Sequence, residues 1–99
     1  MRLRLSPSVP ADLEEILDYI AQDSPRHAVR VVRLLRSRMD EIAKKPLLYR
    51  LRPELGVGVR LPTVGQFVIL FRIRKEAVRI ERVVHGVRNL VSIMEEPEF

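Results

Sequence analysis

The side chains best equipped for chemistry in this 99-residue chain are cationic. Arg60, Arg72, Arg82, His85 and Arg88 fall on three predicted strands and the segment after them. Guanidinium groups gathered on one concave sheet face suit phosphate or carboxylate, which they hold through paired N–H donors. His85 adds an imidazole, a side chain that can serve as a base. Arg82 stands apart, because it sits between Ile80 and Val84 on what reads as an inward face. A buried arginine needs a partner, and a helix acid is the plain structural alternative to a functional role. A second set, Arg26, Arg30 and Arg33, recurs at i, i+4 and i+7 and forms one ridge of a helix.

Other chemistries find little support. The chain has no cysteine, which excludes a disulfide scaffold, a thiolate zinc site and a cysteine nucleophile. His27 and His85 lie in different elements with no ligand spacing between them, so no metal is implied. Gly56 and Gly58 lack the third glycine and the following helix of a phosphate loop. Asp12, Glu15 and Asp18 mark no obvious cleft. No cofactor and no catalytic carboxylate pair are expected. With three phenylalanines, two tyrosines and no tryptophan, the chain is poorly equipped for base stacking. Phe67 and Phe71 share an apolar row and read as core, so sequence-specific nucleic-acid binding is not expected.

The elements that must position these residues follow from periodicity. Arg2 to Leu5 alternates with the strand period. Ser6 to Pro10 is a breaker cluster, with Ser8 as the expected helix cap. Val9, Leu13, Ile16, Leu17 and Ile20 then recur at helical spacing. Ser24-Pro25 starts a second helix, whose stripe is Ala28, Val31, Val32, Leu35, Met39, Ile42 and Ala43, and Pro46 stops it. So short a connection folds the two helices back as a hairpin. From Leu55 the period changes to two. Strands are expected over 55–61, 67–74 and 78–84, with a turn near Lys75-Glu76. Residues 85–94 read as a short helix or irregular segment. Helices followed by strands give an α+β fold: an N-terminal strand and an αα-hairpin packed on a small antiparallel sheet, one domain over 1–99.

Charge narrows the partners. Eighteen basic and thirteen acidic residues leave a net charge of +5, which favours an acidic partner. The charge is segregated: residues 11–23 hold only acids, whereas the second helix is strongly basic. The longest uncharged run, Leu61 to Phe71, is too short to cross a membrane and contains Pro62 and Gly65. A soluble cytoplasmic protein is the expectation.

The ordered set of short motifs resembles the RelE/ParE toxin superfamily. Asp12-Leu13-Glu14-Glu15-Ile16, Tyr19-Ile20, Asp23-Ser24-Pro25, Ala28 and Pro46 match its helical hairpin. Arg60, the run Phe67 to Arg72, and Ile80 to Arg88 match its sheet, and the His85-Gly86…Arg88 ending resembles ParE-type members. The resemblance implies a bacterial type II toxin neutralised by a cognate acidic antitoxin. ParE-like members bind DNA gyrase and block replication, whereas RelE-like members cleave message on the ribosome. The RelE-like residue set is mostly missing. Val59 and Leu61 stand near its lysines, Val68 aligns with one arginine, Met94 falls at the tyrosine, and only Arg88 matches. Cleavage needs a base for the 2′-hydroxyl and cations for the developing charge, which valine and methionine do not supply. The resemblance therefore implies a gyrase-directed toxin. The target-binding residues would be Arg60, Arg72, Arg82, His85 and Arg88. The antitoxin would bind Arg26, Arg30, Arg33, Ile16 and Tyr19. The alternatives are an endoribonuclease built on His85 and Arg88, and a non-toxic binding module.

Overall fold

The structure, a computed structural model, describes residues 1–86. In chain order it contains β1 (Arg2–Leu5), α1 (Ser8–Ala21), α2 (Pro25–Lys44), β2 (Thr63–Val64), β3 (Phe67–Arg74) and β4 (Ala77–His85). Short 3₁₀ turns lie at Pro46–Leu48 and Pro53–Leu55. The strand order is β1-β4-β3-β2. β2–β3 and β3–β4 are antiparallel, and β1 joins the other edge of β4 in parallel. This is the expected α+β fold, with the N-terminal strand part of the sheet itself.

Local chemistry accounts for the hairpin. Ser24 Oγ accepts the amide of His27 at 3.2 Å, and Pro25 occupies the first helical position of α2, where its missing N–H costs little. α1 starts differently from expectation, since Ser8 is already helical and makes no side-chain cap. Ser6 serves instead. Its carbonyl accepts the Val9 amide at 3.1 Å, and its Oγ takes the Ser8 amide at 3.3 Å. The stripes of both helices pack on one face of the sheet. Val9, Leu13 and Ile16 of α1 and Leu35, Met39 and Ile42 of α2 meet Ile69, Phe71, Val78, Ile80 and Val83. Phe71 is the largest fully buried side chain, and its truncation to alanine costs about 3–5 kcal/mol.

Two sequence expectations are corrected. No strand runs over 55–61. Gly56 and Gly58 hold positive φ values of 140° and 75°, which break the extended alternation. Leu55 and Val59 instead fold over the helix-free face of β3 and cover Val68 and Leu70 in a second apolar cluster. Only Arg60 keeps strand-like pairing, bridging Leu51 and Phe71. The second correction concerns β4. Phe71 pairs with Ile80 and Leu70 with Arg82, so Glu81 is an extra residue, a β-bulge. The bulge shifts the alternation by one. Ile80 shares the helix side with Val83, and Val84 packs into the cluster on the opposite face.

The β3–β4 turn comes where the sequence places it, and it is strained. Lys75 and Glu76 have φ of 50° and 62°, the pattern of a type I′ turn, which ordinarily takes Asn-Gly. Among the described residues, no helix is long and apolar enough to cross a membrane. Replacing Lys75→Asn with Glu76→Gly relieves the turn. The double variant should gain about 1–2 kcal/mol in stability, read as a rise in Tm of roughly 4–8 °C per kcal/mol. An unchanged or lower Tm would show that the turn carries no such strain.

Candidate functional site at the open edge of β4

β1 runs only as far as Leu5, opposite Ile80. Beyond that point no strand among the described residues lies on this side of β4, and α1 lies along it. Side chains from the β1–α1 connection and α1 satisfy the exposed backbone. Ser6 donates its amide to Ile80 O at 2.8 Å and its hydroxyl to Glu81 O at 2.6 Å. Asp12 Oδ2 accepts the Val83 amide at 3.0 Å. The same carboxylate takes both Nε and Nη2 of Arg82 at 2.9 Å, a fork-on-carboxylate pair. Asp12 is only 7% exposed, so it is a buried acid with all its partners at hand. Arg82 thus has the helix-acid partner that the sequence reading named as the structural alternative.

The stripe that begins at Asp12 continues through Ile16 to Tyr19, at i, i+4 and i+7. Ile16 is 6% exposed and belongs to the core, so it is not available to a partner as the sequence suggested. Tyr19 is 63% exposed at the end of the stripe. Its ring lies 5.9 Å from His85, whose ring in turn lies 5.1 Å from Phe67. His85 Nε2 lies 2.9 Å from Gln66 Oε1, within hydrogen-bond distance. Tyr19 and His85, assigned from the sequence to two different surfaces, are therefore neighbours on one surface.

The expected arginine cluster does not assemble. Arg60 lies on the same face as Phe71, and its Nη1 donates to Tyr49 O. Arg72 projects on the opposite, helix-free face against Gly56, with a buried Nε that has no hydrogen-bond partner among the described residues. Arg82 is committed to Asp12. Arg88 lies outside the described residues. Arg26, Arg30 and Arg33 are all exposed on α2, as expected. Glu54 is held below the usual carboxylate range by the hydrogen bond from Arg52 at 2.7 Å. No cluster of potential metal ligands occurs among the described residues.

The sequence reading missed a different array. Register aligns Arg2, Ala77 and Arg74 in one cross-strand row, and Arg4, Arg79 and Arg72 in the next. These rows occupy the helix-free face. The signal was present in the alternating arginines of β1 and β3, but only the strand order makes them neighbours.

With this architecture in view, comparison with known proteins is specific. Residues 3–90 match the family model described as ParE toxin of type II toxin-antitoxin system, parDE, and the chain belongs to that family. Its fold resembles a solved structure described as the chromosomal ParDE TA system from P. aeruginosa. The TM-score is 0.77 at 24% identity, covering 88% of this chain and 97% of the other. Among curated proteins no relative matches.

The Asp12–Arg82 pair makes a sharp prediction. Asp12→Ala should destabilise the protein by about 3–5 kcal/mol, because it strands both a guanidinium and the Val83 amide. Arg82→Met should cost less, and denaturant unfolding of both singles and the double variant measures the coupling. Equal costs with no coupling would remove the pair from its structural role.

Proposed function

We propose that this member of the ParE toxin family inhibits DNA gyrase in the bacterial cytoplasm, blocks replication, and is neutralised by an acidic antitoxin. Family membership supports the toxin class. The observation that carries the target is the fate of the positions where the ribonuclease relatives place charge. Val59 and Val68 are buried in the apolar cluster over β3, which leaves no group there to move a proton or stabilise a phosphorane. The protein acts, on this reading, by binding rather than by catalysis.

The Tyr19–His85 contact supports a route to neutralisation. An antitoxin segment lying along the hairpin covers exposed Tyr19 and reaches His85 at the end of β4 in the same footprint. Target engagement through His85 and Arg88 is then blocked. Arg26, Arg30 and Arg33 supply the long-range attraction for its acidic side chains.

Purified protein should inhibit gyrase supercoiling or accumulate cleaved DNA while leaving ribosome-bound message intact. Codon-dependent cleavage of message with gyrase unaffected would establish the His85/Arg88 ribonuclease instead. Absence of both activities, with antitoxin still bound, would make the chain a binding module. Replacing Arg26, Arg30 and Arg33 together with glutamate should slow antitoxin association tenfold or more at low salt. The His85→Ala and Arg88→Ala variants should keep their melting temperatures and lose growth inhibition. Toxicity that falls only in step with stability would move the target surface elsewhere.

A further inference from the structure

The helix-free face of the sheet divides into two halves. One half is apolar and already covered by Leu55 and Val59. The other carries the arginine rows, and at its end Arg4, Arg74, Lys75 and Arg79 ring a hollow floored by Ala77. The hollow exists because the middle residue of the Arg2–Ala77–Arg74 row is alanine, which fills none of the space between its neighbours. Glu81, 3% exposed, pairs with Arg79 at 2.7 Å. No acid pairs with Arg4, Arg74 or Lys75 among the described residues, so the rim keeps an uncompensated positive charge.

We propose that this cup and the arginine rows beside it bind the sugar–phosphate backbone of a nucleic acid without reading its sequence. Guanidinium forks match phosphate oxygens geometrically, and cations on β1 and β3, which flank β4, are spaced to contact successive phosphates. The chemistry of the rim favours phosphate over an acidic peptide. A peptide that orders on binding relies on apolar anchors, and the lining offers only cations and one alanine. Sequence reading is absent for the same reason, since the lining holds no amide side chain or aromatic ring for base edges or stacking. The strained turn points the same way. Lys75 adopts a left-handed conformation that disfavours lysine, and it lies on the rim. This surface is separate from the Tyr19–His85 edge, and the inference stands whether or not gyrase is the target.

The test is fluorescence anisotropy of a short labelled DNA duplex of mixed sequence, titrated with the full chain at several salt concentrations. The chain should bind, with log K falling linearly against log salt by about 0.9 per phosphate contacted. The triple variant Arg4→Gln/Arg74→Gln/Lys75→Gln should lose at least tenfold in affinity at low salt, with a slope shallower by about 2–3. Arg26→Gln/Arg30→Gln/Arg33→Gln removes the same charge from α2 and should change affinity less than twofold. Arg4→Lys/Arg74→Lys should retain the salt slope. Equal losses from the two glutamine triples would reduce the effect to net charge and overturn the site. So would failure of the unaltered chain to bind, or poly-glutamate competing as well as duplex at equal charge. Thermal melts of each variant exclude unfolding as the cause, since these side chains are exposed and such changes stay within ~0.5 kcal/mol.

Discussion

The fold turns on one buried carboxylate. Asp12 takes the Val83 amide and the Nε and Nη2 of Arg82, and with Ser6 it completes the backbone of β4 just past the point where β1 ends. A strand edge left open in the interior would expose unpaired amides at a cost of about 1–3 kcal/mol each. α1 removes that cost without adding a strand, and it is thereby fixed along β4. The bulge at Glu81 belongs to the same arrangement. It re-aims the strand so that Val83 joins the core while Arg82 falls opposite Leu70 and sends its guanidinium to Asp12 at the strand edge.

Three surfaces follow from that anchor. The helix-facing side of the sheet is consumed by the core. The helix-free side is split between an apolar half covered by Leu55 and Val59 and a cationic half that is open except where Arg72 lies against Gly56. At the end of β4, Tyr19 of α1, His85 and Phe67 form a row of rings. Among the described residues, exposed arginines lie on the α2 ridge (Arg26, Arg30, Arg33) and in the arginine rows (Arg2, Arg4, Arg74).

On the proposed reading, in which an acidic antitoxin neutralises the protein, this division has a physical use. Cations distant from the ring surface accelerate encounter with acidic chains through long-range attraction, which falls off beyond about 8–10 Å at ordinary salt. The ring surface supplies short-range contact, with Tyr19 presenting a large amphipathic side chain of the kind that anchors interfaces. On that reading, attraction and recognition reside on different elements of the fold.

Local signals settled a good deal before any contact was known. The Ser24-Pro25 start of α2, its stripe and its stop at Pro46, the β3 strand, the Lys75-Glu76 turn and the α+β order all rest on propensity and periodicity within one element. The i, i+4, i+7 spacing placed Arg26, Arg30 and Arg33 together for the same reason. Tertiary structure decided what depends on register and on which strand lies beside which. The extra residue at Glu81 reversed the alternation after Ile80, and nothing local to β4 announces it, because the bulge is set by pairing with β3. Ile16 and Tyr19 read alike as helix positions, yet only the former is roofed by the sheet. Arg82 found its acid 70 residues away in α1, and Arg4 and Arg74 came together only because β4 lies between β1 and β3. Helical and strand periods report which residues share a face, and only the packed chain determines what each face meets.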